Sequence, residues 1–270
     1  MDRKHHATVS HCSSPPHSNP LGVREMRELK YQARHSLTEY AKARTCSLGG
    51  VGTGNVVRLN GDAFIVTAKH VADTFYELKR PQVIFYGNLK IGASQTIYSA
   101  GTDDTLDIAL ITLHDLDAAV SAYEYDDFEF IDDFRRYDFN GVDLQVFGFP
   151  EQLQHETKSD LFYSWMSYVT IVCSDQPATS DFLFCQYPMK LPVQDSRRLD
   201  KATLPAARGL SGAFILKLRL HDSHSVWSPT SAKVIAMQIA WDKRSYIKCS
   251  NIAHLKTLLP QSQVKPAGVP

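Results

Sequence analysis

Three short blocks in this chain of 270 residues carry the side chains of acid–base and nucleophilic chemistry. In Thr67-Ala-Lys-His70 an imidazole stands just past an apolar run that reads as a strand. A rigid element would hold it there at a cleft, which suits a proton carrier. In Asp104-Thr-Leu-Asp-Ile-Ala-Leu-Ile-Thr-Leu113, Asp107 opens a second apolar run. A carboxylate at that place needs a hydrogen-bonding partner, because an unpaired buried charge is costly. In Arg208-Gly-Leu-Ser-Gly-Ala-Phe-Ile-Leu216, Ser211 lies between two glycines at the mouth of a third strand. Such glycines let the backbone turn sharply and bring amide N–H groups close to a substrate oxygen. A lone histidine is more often a half-buried or capping residue. The serine and aspartate blocks are what give His70 a chemical role.

In their order, His70, Asp107 and Ser211 and the residues around them resemble the three active-site blocks of the chymotrypsin-like (trypsin-like) serine peptidases. The closest style is that of bacterial HtrA-like peptidase domains. Gly52-Thr-Gly54, Val146-Phe-Gly-Phe-Pro150 and Val234-Ile-Ala-Met-Gln-Ile-Ala240 are similar to segments in corresponding places of those proteins, and the resemblance runs from about Cys46 to Leu259. It implies an all-β fold of two six-stranded antiparallel β-barrels with the site in the cleft between them. Ser211 would be the nucleophile, His70 its general base and then acid, and Asp107 the group that fixes the imidazole tautomer. The N–H groups of Gly209 and Ser211 would form the oxyanion hole. Leu210 stands where secreted zymogens carry an aspartate, so activation by a new N-terminus is not expected, and Lys69 adds a positive charge beside the imidazole.

The elements that must position these residues are short. Asn55–Leu59 and Ala63–Thr67 read as a hairpin about the Asn60-Gly61 turn. Further strands are expected at Gln82–Tyr86, Ile108–Leu113, Leu144–Phe147, Phe162–Val172, Phe182–Tyr187, Ala213–Leu220 and Lys233–Ala240, the pattern of an all-β barrel protein. Met26, Leu29, Ala33, Leu37, Tyr40 and Ala41 recur at steps of three and four, which predicts an amphipathic helix over residues 21–45. Ile252–Leu259 reads as a closing helix. The peptidase domain is expected over 46–260, with barrel one at about 46–130 and barrel two at about 140–260. Residues 1–20 and 261–270 read as tails, the second too short for the peptide-binding module of many HtrA-like proteins.

Composition excludes several functions. With 29 basic and 29 acidic residues there is no net field to attract nucleic acid or a membrane surface. No run of about 18 apolar residues occurs and Met1–His17 is polar, so a cytoplasmic protein is expected. Five cysteines without a Cys-x-x-Cys pair do not make a disulfide framework. His5, His6, His11, Cys12 and His17 lie among Ser and Pro in an unstructured stretch, so no metal and no cofactor is expected. Eight acidic residues without a Lys or Arg lie between Asp115 and Asp133. They read as a solvated connector, with docking of a basic partner as the alternative.

The expected reaction is therefore hydrolysis of a polypeptide through an acyl-enzyme, with a protein regulator as an allowed partner. A silent member of the fold acting as a binding module, or an esterase, are the rival readings. Because His70 must be neutral to take the serine proton, activity is expected to fall on the acid side. By the resemblance, the primary pocket takes its floor from Pro205 and one wall from Met237-Gln-Ile-Ala-Trp241, with Ile239, Ala240 and Trp241 as lining. Neither segment carries a carboxylate, so small or medium aliphatic residues are expected there rather than Lys or Arg. A shifted register would bring Asp195 or Asp200 to the floor.

Overall fold

The computed structural model describes residues 22–79, 82–85, 90–92, 97–112, 116, 123–124, 133–156, 161–187, 204–218, 228–229, 232–242 and 245–258. The tails, most of the acidic stretch, Asp195 and Asp200 lie outside these residues.

Helix α1, Val23–Lys42, forms where the three-and-four spacing predicts it, and its Ala33, Leu37 and Ala41 are fully buried. The Glu25 carboxylate accepts from the Gly22 N–H at 2.9 Å and so secures the first turn. The helix lies on strands of both sheets described below. On the side of the second sheet, Lys30 and Arg34 reach Asp143 at 3.3 and 2.7 Å, and the Gln145 amide donates to the Thr38 hydroxyl at 3.0 Å.

Next come β1 (Thr45–Leu48), β2 (Thr53–Leu59) and β3 (Asp62–Ala68). The β2–β3 hairpin turns at Asn60 and Gly61, both in the left-handed region that this turn demands. A short helix not expected from the sequence, α2, covers Lys69–Glu77 and buries Val71, Ala72 and Phe75. Strands β4 (Gln82–Phe85), β5 (Lys90–Gly92), β6 (Ile97–Asp103), β7 (Ile108–Thr112) and β8 (Tyr123–Glu124) complete the first sheet. Its order is β5-β4-β1-β2-β3-β7-β6, with β8 pairing in parallel with β2 beyond the reach of β1.

The second sheet follows from β9 (Leu144–Gly148). After it come a small hairpin of β10 (Gln154–Glu156) and β11 (Leu161–Tyr163), then β12 (Met166–Thr170) and β13 (Phe182–Gln186). Strands β14 (Phe214–Lys217), β15 (Lys233–Asp242) and β16 (Tyr246–Ser250) finish it, in the order β12-β9-β14-β15-β16-β13. Just past β12 the chain bonds back to β13, the Cys173 N–H to the Phe184 carbonyl and the Gln186 N–H to the Ile171 carbonyl, each at 2.9 Å.

The described residues are thus mostly β, with two large, mainly antiparallel sheets, the small β10–β11 hairpin and the two α-helices α1 and α2. Against the expected two six-stranded barrels, the two large sheets have eight and six strands among the described residues. The strand expected over Phe162–Val172 is broken at Ser164 and Trp165, where Trp165 leaves the ladder to stack on Phe147 at 5.5 Å. The closing helix is a 3-10 turn over Ala253–Leu258. One apolar core fills the first sheet and crosses into the second through Phe147, Phe214 and Met237. A second core, around Val146, Tyr168, Leu183, Ile215 and Ile247, lies within the second sheet.

Candidate active site

His70 is the second residue of α2, and the helix N-terminus leaves its amide and that of Lys69 without intrahelical acceptors. Asp107 supplies both. Its carbonyl accepts from the Lys69 N–H and its Oδ1 from the His70 N–H, each at 3.0 Å. Its Oδ2 meets His70 Nδ1 at 2.7 Å. One aspartate therefore caps the helix and holds the imidazole, and its charge is favoured by the helix dipole. Asp107 adopts φ +54, in the left-handed region, at a cost of about 1–3 kcal/mol. Hydrogen bonds to a charged group at about 1.5–3 kcal/mol each offset that cost. The imidazole is half exposed.

Lys69 does not act on His70 as a bare charge. Its ammonium meets Asp73 at 2.7 Å and Asp104 at 3.3 Å. Those carboxylates, Asp73 foremost, raise its pKa.

The Ser211 block leads into β14 of the second sheet and is tied down largely by β2 of the first. The Glu151 N–H donates to the Arg208 carbonyl at 2.8 Å, and the Thr53 hydroxyl to that of Gly209 at 2.8 Å. The Ala213 N–H takes the Leu210 carbonyl at 2.8 Å, the Thr53 N–H that of Ser211 at 2.9 Å, and the Asn55 amide that of Gly212 at 2.7 Å. Every carbonyl from Arg208 to Gly212 is thereby pinned. The N–H groups of Leu210, Gly212 and Ala213 are spent on Ala207, Gln238 and Leu210. Among the described residues, those of Gly209 and Ser211 donate to nothing. Because each peptide unit is planar and trans, a fixed carbonyl fixes the N–H on the opposite side.

Thr53 is the centre of this arrangement. It is fully buried, its hydroxyl also accepts from the Phe149 N–H at 3.0 Å, and its carbonyl accepts from the Thr67 hydroxyl at 2.7 Å. In return the second sheet anchors the aspartate turn, since the Ser250 hydroxyl donates to the Leu106 carbonyl. Gly209 at φ +84 and Gly212 at φ +95 need glycine. A Cβ on Gly212 would lie 1.9 Å from the Thr53 carbonyl oxygen and 2.5 Å from the Thr67 hydroxyl, three residues before His70. Polar Thr53 and Asn55 at the start of β2, beside the Gly52-Thr-Gly54 segment, are the sequence signal for this seam.

The structure pairs His70 with Asp107 and packs the serine loop against the strand that leads to His70. The Ser211 hydroxyl meets the Ile239 carbonyl at 3.5 Å and makes no hydrogen bond to His70. Of the expected pocket residues, Pro205 and Trp241 are joined through Tyr187. The Tyr187 hydroxyl donates to the Pro205 carbonyl at 2.5 Å, and its ring meets Trp241 edge-on at 5.9 Å. Ile239 is buried in the first core and Ala240 is exposed. Tyr187 and Gln152, which accepts from the Ala206 N–H at 2.7 Å, were not foreseen.

No thiol competes as a nucleophile among the described residues. Cys46, Cys173, Cys185 and Cys249 are unpaired and buried. Burial raises the pKa of Cys46 and Cys249 and pushes Cys173 up to about 11, which withholds the reactive thiolate. Nor do described His, Cys, Asp or Glu side chains form a group suited to a metal ion. No described helix is long and apolar enough to cross a membrane.

No protein-family model matches the sequence, and no curated protein matches it. Among solved structures, a chain from work on the Sesbania mosaic virus VPg protein is 15% identical at a TM-score of 0.47, covering 82% of this chain and 92% of that one. A serine endoprotease from Yersinia pestis is 12% identical at 0.47, covering 83% of this chain and 63% of that one. An HtrA-type protease, AlgW, solved with a tripeptide is 10% identical at 0.48, covering 83% and 60%. The chain thus spans about three fifths of the length of the two proteases. Likeness at this level identifies no function.

Proposed function

We propose that this protein is a serine endopeptidase with a trypsin-like arrangement of two barrels, cleaving polypeptides through an acyl-enzyme at Ser211. The observation that carries this reading is the loop Arg208–Gly212, whose carbonyls are all bonded while the N–H groups of Gly209 and Ser211 have no acceptor among the described residues. Donors held in place before the reaction stabilise a developing oxyanion far better than donors that must reorganise.

In the proposed reaction His70 takes the Ser211 proton as the hydroxyl attacks the scissile carbonyl. The imidazolium that results is stabilised by Asp107, which keeps the Nδ1 proton on its own side. The tetrahedral oxyanion accepts from the Gly209 and Ser211 N–H groups. His70 then gives its proton to the leaving amine, and water repeats the cycle on the acyl-enzyme. None of these steps calls for a cofactor.

A silent binding module is favoured by one feature, the Ser211 hydroxyl resting toward Ile239 instead of His70. Catalytic hydrogen bonds are often long without substrate and tighten in the complex. A fluorophosphonate probe separates the two readings. The peptidase reading expects one covalent adduct, mapped by mass spectrometry to the peptide holding Ser211 and absent from the His70→Ala variant. An unmodified protein at neutral pH would leave the binding module as the better account.

A further inference from the structure

Gln238 sits on β15 directly behind the serine loop. Its carbonyl accepts from the Gly212 N–H at 2.7 Å and its N–H donates to the Ala213 carbonyl at 2.8 Å. It is completely buried, yet neither its side-chain oxygen nor its nitrogen has a partner among the described residues. A buried amide left unsatisfied is expensive and in native proteins has a reason.

Strand alternation shows where this side chain points. Met237, its neighbour on β15 before the register shift at Ile239, belongs to the first core, so Gln238 projects from the opposite face. Cys249, its partner across the sheet, belongs to the second core, and so does Ala236 two positions before it. The same core holds Ala207, Leu204 and Tyr187, with Trp241 packed against it, the side chains that surround the Pro205 segment. Two more polar atoms of that core are unpartnered, the Tyr168 hydroxyl and the Trp241 indole nitrogen. The Tyr168 ring in turn meets Tyr187 edge-on at 5.2 Å.

We propose that Gln238 sets the specificity of the primary pocket, and that the substrate residue before the scissile bond carries a neutral amide side chain, glutamine first. This rests on the endopeptidase reading. A substrate amide offers one acceptor and two donor hydrogens, the complement of the Gln238 amide, and two such groups pair through two N–H···O bonds that give the oxygen and one N–H of each a partner. A carboxylate would be taken up less well, because no Lys, Arg or His among the described residues is buried in the second core to replace its hydration. An aliphatic side chain would fill the apolar walls but leave Gln238 unpaired. A site built to bond a polar side chain rejects the analogue that lacks it, and so discriminates more strongly than an apolar pocket.

The test is a set of peptides that differ only in the residue before the cut, Gln, Glu, Leu or Arg, with kcat/KM measured for the wild type and for Gln238→Leu and Gln238→Met. The wild type should favour glutamine over leucine by about a hundredfold, a modest share of what a hydrogen-bonding site can reject. Both variants should reverse the order, with a melting temperature equal to or above that of the wild type, since an unpaired buried amide has been replaced by an apolar group of similar size. A wild type that prefers leucine, or variants that keep the glutamine preference, would overturn the assignment of Gln238 while leaving the peptidase intact. Absence of both probe labelling and cleavage would overturn the peptidase reading and this inference together.

Discussion

Ser211→Ala is expected to lower turnover by about a millionfold, with His70→Ala equally damaging and Asp107→Asn costing about ten-thousandfold. Nucleophile and base act as one unit, so the double variant Ser211→Ala, His70→Ala should be no worse than either alone. The asparagine variant is the sharper probe. Its side-chain oxygen can still accept from the His70 N–H, and asparagine tolerates φ +54, so the helix cap survives. The amide nitrogen would instead face His70 Nδ1 and donate to it. That forces the proton onto the other ring nitrogen, the one that must accept from serine. Circular dichroism should therefore be unchanged, with stability lower by about 0.3–1 kcal/mol for the lost charge at the helix N-terminus. Residual activity within tenfold of wild type would remove Asp107 from the mechanism.

Gly212→Ala should destabilise the whole protein, by about 4 kcal/mol or more. The added methyl carbon meets a backbone oxygen at 1.9 Å, and that oxygen is fixed by the Thr67 hydroxyl and by its own place in β2. Alanine at φ +95 is strained whatever the space. Gly61→Ala and Gly141→Ala are the controls. Both glycines have φ above zero but nothing within 4 Å of a new Cβ, so these changes should cost only the backbone strain, about 1–2 kcal/mol. Urea melts of the three variants would separate clash from strain. A Gly212→Ala protein as stable as the controls would show that the loop has freedom to move that the hydrogen bonds deny.

The parts of this architecture that rest on local pattern were readable from the amino acids. Helix α1, the hairpin about Asn60-Gly61 and the strands around Ile108 and Val234 announce themselves by period and turn chemistry. Helix α2 was missed because only nine residues form it and Asp107, from another part of the chain, caps it where no local Ser, Thr, Asp or Asn does. The break at Trp165 escaped notice because stacking on Phe147 overrides a continuous β pattern. Of the site, His70, Asp107, Ser211 and the glycines could be named from residue type and order. The roles of Thr53, Asn55, Ser250 and Gln238 could not, since each depends on a contact with a residue far away in sequence.

That dependence sets an order in which the protein comes apart. The donors that shape Arg208–Gly212 arrive from Thr53, Asn55 and Glu151, up to 157 residues away, and only when both sheets are in place. Each sheet, in contrast, is held mainly by its own ladders. Loosening the contact between the sheets removes the loop's acceptor bonds at a free energy below that of global unfolding, as local openings generally do. Under rising urea, reaction of Ser211 with the probe should vanish before the far-ultraviolet signal of the strands declines, and return last on dilution. Coincident loss of both signals would mean that sheets and loop melt as a single unit.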